Sequence, residues 1–216
     1  KKDPQNGGIL HLLAQAYFRL EQLDQARESL QRLTNAQPEN VPARFDLANV
    51  QYRIGAEDQA IRNYQEVLKS DPKFDLASYN LGSLFLKRAG YGEAVQYLRQ
   101  AVESNPDLLE ARLNLAQAYL AQKKFTEAKT EYSKVLEAKP DEVQALSGLG
   151  MINQREGDLE GAQKLFQQVV QMAQGSERGH LLLARSYLQQ GNLAAAVKNL
   201  EEAVKINPQN YAAQIQ

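Results

Sequence analysis

Proline punctuates this chain at a fixed interval. Pro4, Pro38, Pro72, Pro106 and Pro140 stand 34 residues apart, and Pro208 follows 68 residues later, twice that spacing. The slot of the missing member holds Gln174, followed by Gly175, which can also stop a helix. A constant period of this size means one supersecondary unit repeated along the chain, each copy unable to bury its apolar face except against the next. Only Pro42 falls outside the series.

Six units align on that period: residues 7–40, 41–74, 75–108, 109–142, 143–176 and 177–210. Residues 1–6 and 211–216 look like parts of flanking repeats, so 1–216 is expected to be a single array. Column 7 of the alignment is Leu13, Leu47, Leu81, Leu115, Leu149 and Leu183. Column 8 is Ala14, Ala48, Gly82, Ala116, Gly150 and Ala184. Column 20 is alanine in all six units: Ala26, Ala60, Ala94, Ala128, Ala162 and Ala196. Column 24 is large, reading Leu30, Tyr64, Leu98, Tyr132, Phe166 and Leu200.

The apolar spacing inside a unit is helical, as in Leu113, Ala116, Leu120 and then Ala128, Tyr132, Val135, with a polar break between. The composition agrees: 83 of 216 residues are Leu, Ala or Gln and only 20 are Val, Ile or Thr, a balance that favours helix over strand. Gly55, Gly157 and Gly191 in the break suit a positive φ that closes the first helix, and Asp158 and Asn192 suit a cap on the second. The residue before a proline is driven out of the α region, which predicts second-helix ends near Gln37, Asp71, Asn105, Lys139 and Asn207. Small residues in columns 8 and 20 let the two helices of a hairpin approach, and columns 7 and 24 fill the space left. Unit 5, with Gly148, Gly150, Gly157, Gly161 and Gly175, is expected to be the softest seam.

These columns resemble the tetratricopeptide repeat family. Unit 4 carries the resemblance in Leu115, Ala116, Tyr119, Ala128, Tyr132 and Pro140, and unit 6 in Leu183, Ala184, Tyr187, Ala196, Leu200 and Pro208. Column 4, usually a bulky aromatic in that family, departs from it as Leu10, Arg44, Ser78, Arg112, Leu146 and His180; column 11 departs at Gln51 and Asn153. The resemblance implies an all-α, right-handed α-solenoid of six helix-turn-helix repeats whose first helices line a concave groove.

By the same resemblance, columns 2, 5, 6, 9, 12 and 13 face the groove. The partner-binding residues it implies are Phe18, Arg19, Phe45, Asn49, Tyr52, Arg53, Tyr79, Asn80, Lys87, Leu113, Asn114, Gln117, Arg155 and Arg185. Phe18, Phe45, Tyr52 and Tyr79 are candidate aromatic anchors, and Asn80 and Asn114 candidate holders of a ligand backbone. Those columns sum to +4 while the whole chain is −1, which predicts a basic groove on a mildly acidic body and a ligand of acidic character. Column 5 has no cation beyond neutral His11, so the clamp of the chaperone-tail-binding members is not expected.

An enzyme is not expected. The two histidines lie five units apart, cysteine is absent, and no glycine-rich phosphate loop precedes a lysine, so no triad, zinc site or nucleotide cofactor site can be assembled. The near-zero net charge argues against a nucleic-acid partner, and no run of 18 apolar residues suits membrane insertion. The partner is therefore expected to be a protein or peptide segment, held by a scaffold or adaptor. Two alternatives stand beside that reading: a self-associating scaffold whose open ends stack end to end, and a regulatory arm of a longer enzyme. Cytoplasmic and periplasmic locations are both allowed, and no cofactor or metal is expected.

Overall fold

The computed structural model describes residues 7–172 and 176–209, and among them every regular element is a helix. In chain order these are α1 (Gly7–Arg19), α2 (Leu23–Ala36), α3 (Val41–Arg53), α4 (Glu57–Ser70), α5 (Asp75–Lys87), α6 (Tyr91–Ser104), α7 (Leu109–Ala121), α8 (Phe125–Ala138), α9 (Val143–Glu156), α10 (Leu159–Met172), α11 (Glu177–Gln189) and α12 (Leu193–Ile206). Each predicted repeat thus holds one odd-numbered and one even-numbered helix. The chain divides into two compact units, residues 1–111 and 112–216. The sequence features at 1–6, at Gln174 and Gly175, and at 210–216 lie outside the described residues.

The helix ends follow the backbone chemistry anticipated above. Gln37, Asp71, Asn105, Lys139 and Asn207 are the C-caps of the even helices, each extended ahead of its proline. At every turn from odd to even helix, column 15 adopts a positive φ. It is glycine at Gly55, Gly157 and Gly191, but Glu21, Ala89 and Lys123 take the same conformation at φ 59°, 59° and 60°. Asn192 caps α12 by accepting from the Ala195 amide, and Asp158 accepts from the Gly161 amide. Pro42 occupies the first turn of α3, where its missing N–H costs nothing, and Asn40 caps that helix.

Packing in the first unit runs both within and between hairpins. Helices α1 and α2, α3 and α4, and α5 and α6 pair, and α2 and α4 pack onto the odd helix that follows. One core cluster joins Leu10 and Ala14 of α1, Leu30 and Leu33 of α2, and Leu47 and Val50 of α3. The next joins Ala48, Tyr64, Val67, Leu81 and Leu84. In the second unit α9 pairs with α10 and α11 with α12, with α8 on α9 and α10 on α11. Its core includes Phe166 against Leu182 and Leu183.

All six column-20 alanines are fully buried. Column 7 is buried at Leu47, Leu81 and Leu183 and half-buried at Leu149, whereas Leu13 of α1 is 39 % exposed.

The glycines of α9 have a packing reason. A Cβ on Gly150 would sit 2.3 Å from the Phe166 ring, and one on Gly148 2.3 Å from Cζ of Tyr132. Both carry a column-24 ring of an even helix at van der Waals range, so they are sites of close approach, not weak helix formers waiting for alanine.

Candidate functional site

Three of the polar residues in the aromatic column 4, all but Ser78, have partners 19 residues onward, on the even helix of the same hairpin. Arg44 donates to Asn63 at 3.3 Å, Arg112 donates to Glu131 at 2.7 Å, and His180 bonds Asn199 at 3.0 Å. Gln51 continues the first of these networks by accepting from Asn63 and donating to Gln59. These residues brace hairpins and leave the other face of the odd helices to do any binding.

In the first unit that other face opens two cavities. One, of about 240 Å³, is lined by Gln15, Phe18, Arg19, Asp46 and Asn49. The second, of about 320 Å³, is lined by Asn49, Tyr52, Arg53, Tyr64, Tyr79, Asn80 and Ser83. Between them they gather Phe18, Arg19, Asn49, Tyr52, Arg53, Tyr79 and Asn80. The amides meet directly: Asn49 Oδ1 accepts from the Tyr64 hydroxyl at 2.6 Å and from Asn80 at 2.9 Å. Burial holds the Tyr64 hydroxyl far above the ordinary tyrosine pKa, a hydrogen bond from Asn80 offsetting part of the effect, so it remains a neutral donor.

Two predicted residues are placed differently. Phe45, half-buried, packs its ring 4.8 Å from Phe74 and 5.9 Å from Tyr64, centroid to centroid, against the core cluster. Leu113 is only 7 % exposed and presents almost no surface.

The cations are the larger surprise. Arg53 donates to Glu21 at 2.7 Å and lies over the Phe18 ring at 5.0 Å; Lys87 donates to Glu57 at 2.8 Å and lies over Tyr52 at 5.3 Å. Arg88 pairs with Asp58 at 2.7 Å, and His11 bonds Asp46. Summing only the groove columns leaves out Glu21, in the turn before α2, and Glu57, the first residue of α4. The positive edge of the first unit is therefore compensated at Arg53 and Lys87, and the cation held over each aromatic ring fixes that ring's orientation.

The second unit is different. A cavity of about 500 Å³ is lined by Gln117, Leu120, Ala121, Lys123, Tyr132, Gln144, Met151, Arg155 and Arg178. It takes in Gln117 and Arg155 of the predicted set; Asn114 on α7 is half-buried, and Arg185 is exposed on α11. Tyr64 and Tyr132, the column-24 residues that fill their hairpins, also line these cavities. The signal was available: a tyrosine at column 24, where leucine or phenylalanine would fill the space, has a hydroxyl to place. Among the described residues no group of three His, Cys, Asp or Glu is placed to hold a metal, and no helix is long and apolar enough to cross a membrane.

Helical hairpins of 34 residues with small residues at each crossing define a repeat scaffold of the all-α solenoid class. Models of the tetratricopeptide repeat match residues 85–149 and 154–216, and residues 11–75 and 58–109, and the chain belongs to that family. Among solved structures it is similar to PilW, a widely conserved type IV pilus biogenesis factor, at 22 % identity and a TM-score of 0.79, covering 98 % of each chain. It is also similar to PilF of Pseudomonas aeruginosa, at 20 % identity and a TM-score of 0.77, covering 96 % of this chain and 95 % of that one. A third is YrrB, a tetratricopeptide repeat protein with an unusual peptide-binding site, at 19 % identity and a TM-score of 0.74, covering 87 % and 97 %. At such identities the likeness is one of fold. No curated protein matches the sequence. The family supports a protein-interaction scaffold in general terms, and its members are generally non-catalytic.

Proposed function

We propose that this chain is a non-catalytic adaptor that holds an extended or helical partner segment against the groove face of its odd-numbered helices. The observation that carries this is the make-up of the cavities there: the exposed Tyr52 ring and the half-buried Tyr79 ring lie among amide and hydroxyl groups already oriented by hydrogen bonds, so little ordering cost attends binding. The fold likeness to YrrB, which has a peptide-binding site, is in keeping with it. Selection of a peptide display library on the wild type, followed by affinity measurement on a Tyr52→Ala, Tyr79→Ala double variant of unchanged helicity, tests the reading. Selected peptides should lose at least about tenfold in affinity; equal binding to both proteins sinks it.

A second reading, self-association, is favoured by one observation. Leu12 is 69 % exposed on α1 beside Ile9 and Leu13, and Leu193 is 64 % exposed on α12 beside Val197. These exposed apolar residues on α1 and α12 are suited to packing against a second copy. Sedimentation velocity over a range of concentrations should then show growing species; a single monomer boundary throughout would eliminate it.

A further inference from the structure

The turn between odd and even helix carries one residue with a positive φ, and in unit 1 of the sequence repeat that residue is Glu21, which binds Arg53, the last residue of the following odd helix. The equivalent pair three repeats later is Lys123 and Arg155. Lys123 has the same backbone conformation as Glu21, φ 60° against 59°, and Arg155 stands at the register of Arg53. Where one repeat juxtaposes a carboxylate and a guanidinium, the other directs two cations to the wall of one cavity, and Arg178 of α11 adds a third. Among the described residues no carboxylate lines this cavity. Of the acids close to these cations in sequence, Glu156 pairs with Lys129 of α8, Glu142 pairs with Lys139 at 2.6 Å, Glu177 accepts from Asn207 at 2.9 Å and Asp158 accepts from the Gly161 amide; none of them, nor Glu127, is among the lining residues. Tyr132, whose hydroxyl is held neutral by burial, and the amides of Gln117 and Gln144 add neutral donors to the same walls.

Three like charges gathered at a concave surface repel one another unless an anion joins them. We propose that Lys123, Arg155 and Arg178 form an anion subsite that seats side-chain carboxylates of an acidic partner segment. A peptide is favoured over a small free anion by the cavity itself. At about 500 Å³ it exceeds what one small ion fills, and Met151, Leu120 and Ala121 supply apolar wall for the stem of a glutamate or aspartate. This rests on the groove reading above and narrows it, since the charge selectivity then resides in the second unit, while Arg53 and Lys87 in the first already have acidic partners.

The probe is a fluorescein-labelled hexaglutamate peptide, followed by anisotropy at roughly 50 mM salt, where charge pairing is little screened. Wild type should bind it and should not bind labelled hexaglutamine. Lys123→Glu, which installs the residue that Glu21 already shows to be compatible with this turn, should weaken binding at least about tenfold, and Arg155→Glu likewise. Lys164→Glu, the same charge change at an exposed position of α10, should leave affinity within about twofold. Helicity by circular dichroism confirms that each variant is folded.

Equal affinity of Lys123→Glu and Lys164→Glu overturns the proposal, as does failure of the wild type to bind hexaglutamate. Displacement of the peptide by inorganic phosphate at equal concentration overturns the peptide assignment in favour of a small anion. The Tyr52, Tyr79 double variant separates this result from the parent reading. If selected peptides still depend on those tyrosines while hexaglutamate does not bind, the groove stands and the anion subsite falls.

Discussion

At the scale of single residues, function and stability turn on a few cubic ångströms. Ala128 is fully buried where α8 crosses its neighbours, so Ala128→Leu should cost roughly 1–3 kcal/mol through overpacking, read as a lowered urea midpoint with unchanged slope. Two glycines test whether helix propensity or contact governs. Gly92 has nothing within 4 Å of an added Cβ in α6, and Gly92→Ala should raise stability by about 0.5–1 kcal/mol. Gly148→Ala would meet Cζ of Tyr132 at 2.3 Å, and chemical denaturation should find it destabilised by about 1 kcal/mol or more. Helix propensity by itself gives both the same cost, because a close approach is invisible until the ring that makes it is placed.

At the scale of elements, the positive-φ turn is the recurring joint. Three of its six occurrences are glycine; Ala89 adopts the same conformation with a Cβ that left-handed backbone disfavours. Ala89→Gly should therefore stabilise the α5 to α6 hairpin by about 1 kcal/mol, seen as a higher thermal midpoint; a fall would show that the alanine side chain contributes packing that outweighs the strain. The hairpin ends themselves were legible, since the steric demand of proline acts on its immediate neighbour and needs no tertiary partner. The braces between columns 4 and 23 were not read, although arginine or histidine in an aromatic column followed 19 residues later by Asn63, Glu131 or Asn199 was visible in the sequence.

At the scale of the whole molecule, the buried tyrosines set an alkaline limit. Burial pushes the Tyr132 hydroxyl up to about 12 from an ordinary 10.0, with Arg178 opposing. A pKa raised on folding gives stability that is complete below the unfolded value and is lost as pH climbs through the folded one. The unfolding free energy should therefore decline between pH 10 and about 12, and Tyr132→Phe should flatten that decline in urea titrations at successive pH values. An unchanged slope would show that the hydroxyl is hydrated after all.

The amino-acid sequence by itself determined the unit: its length, its two helices, the alanines at the crossings and the turn position. These follow from interactions within a few residues or from a strict period, which the chain displays openly. What only the tertiary structure decided is which charges remain to meet a partner. Arg53 is compensated by a glutamate 32 residues before it and Lys87 by one 30 residues before it, while Lys123 shares a cavity with two arginines. Such compensation depends on side chains of neighbouring hairpins brought together by stacking, and charge, unlike helix packing, need not repeat with the period.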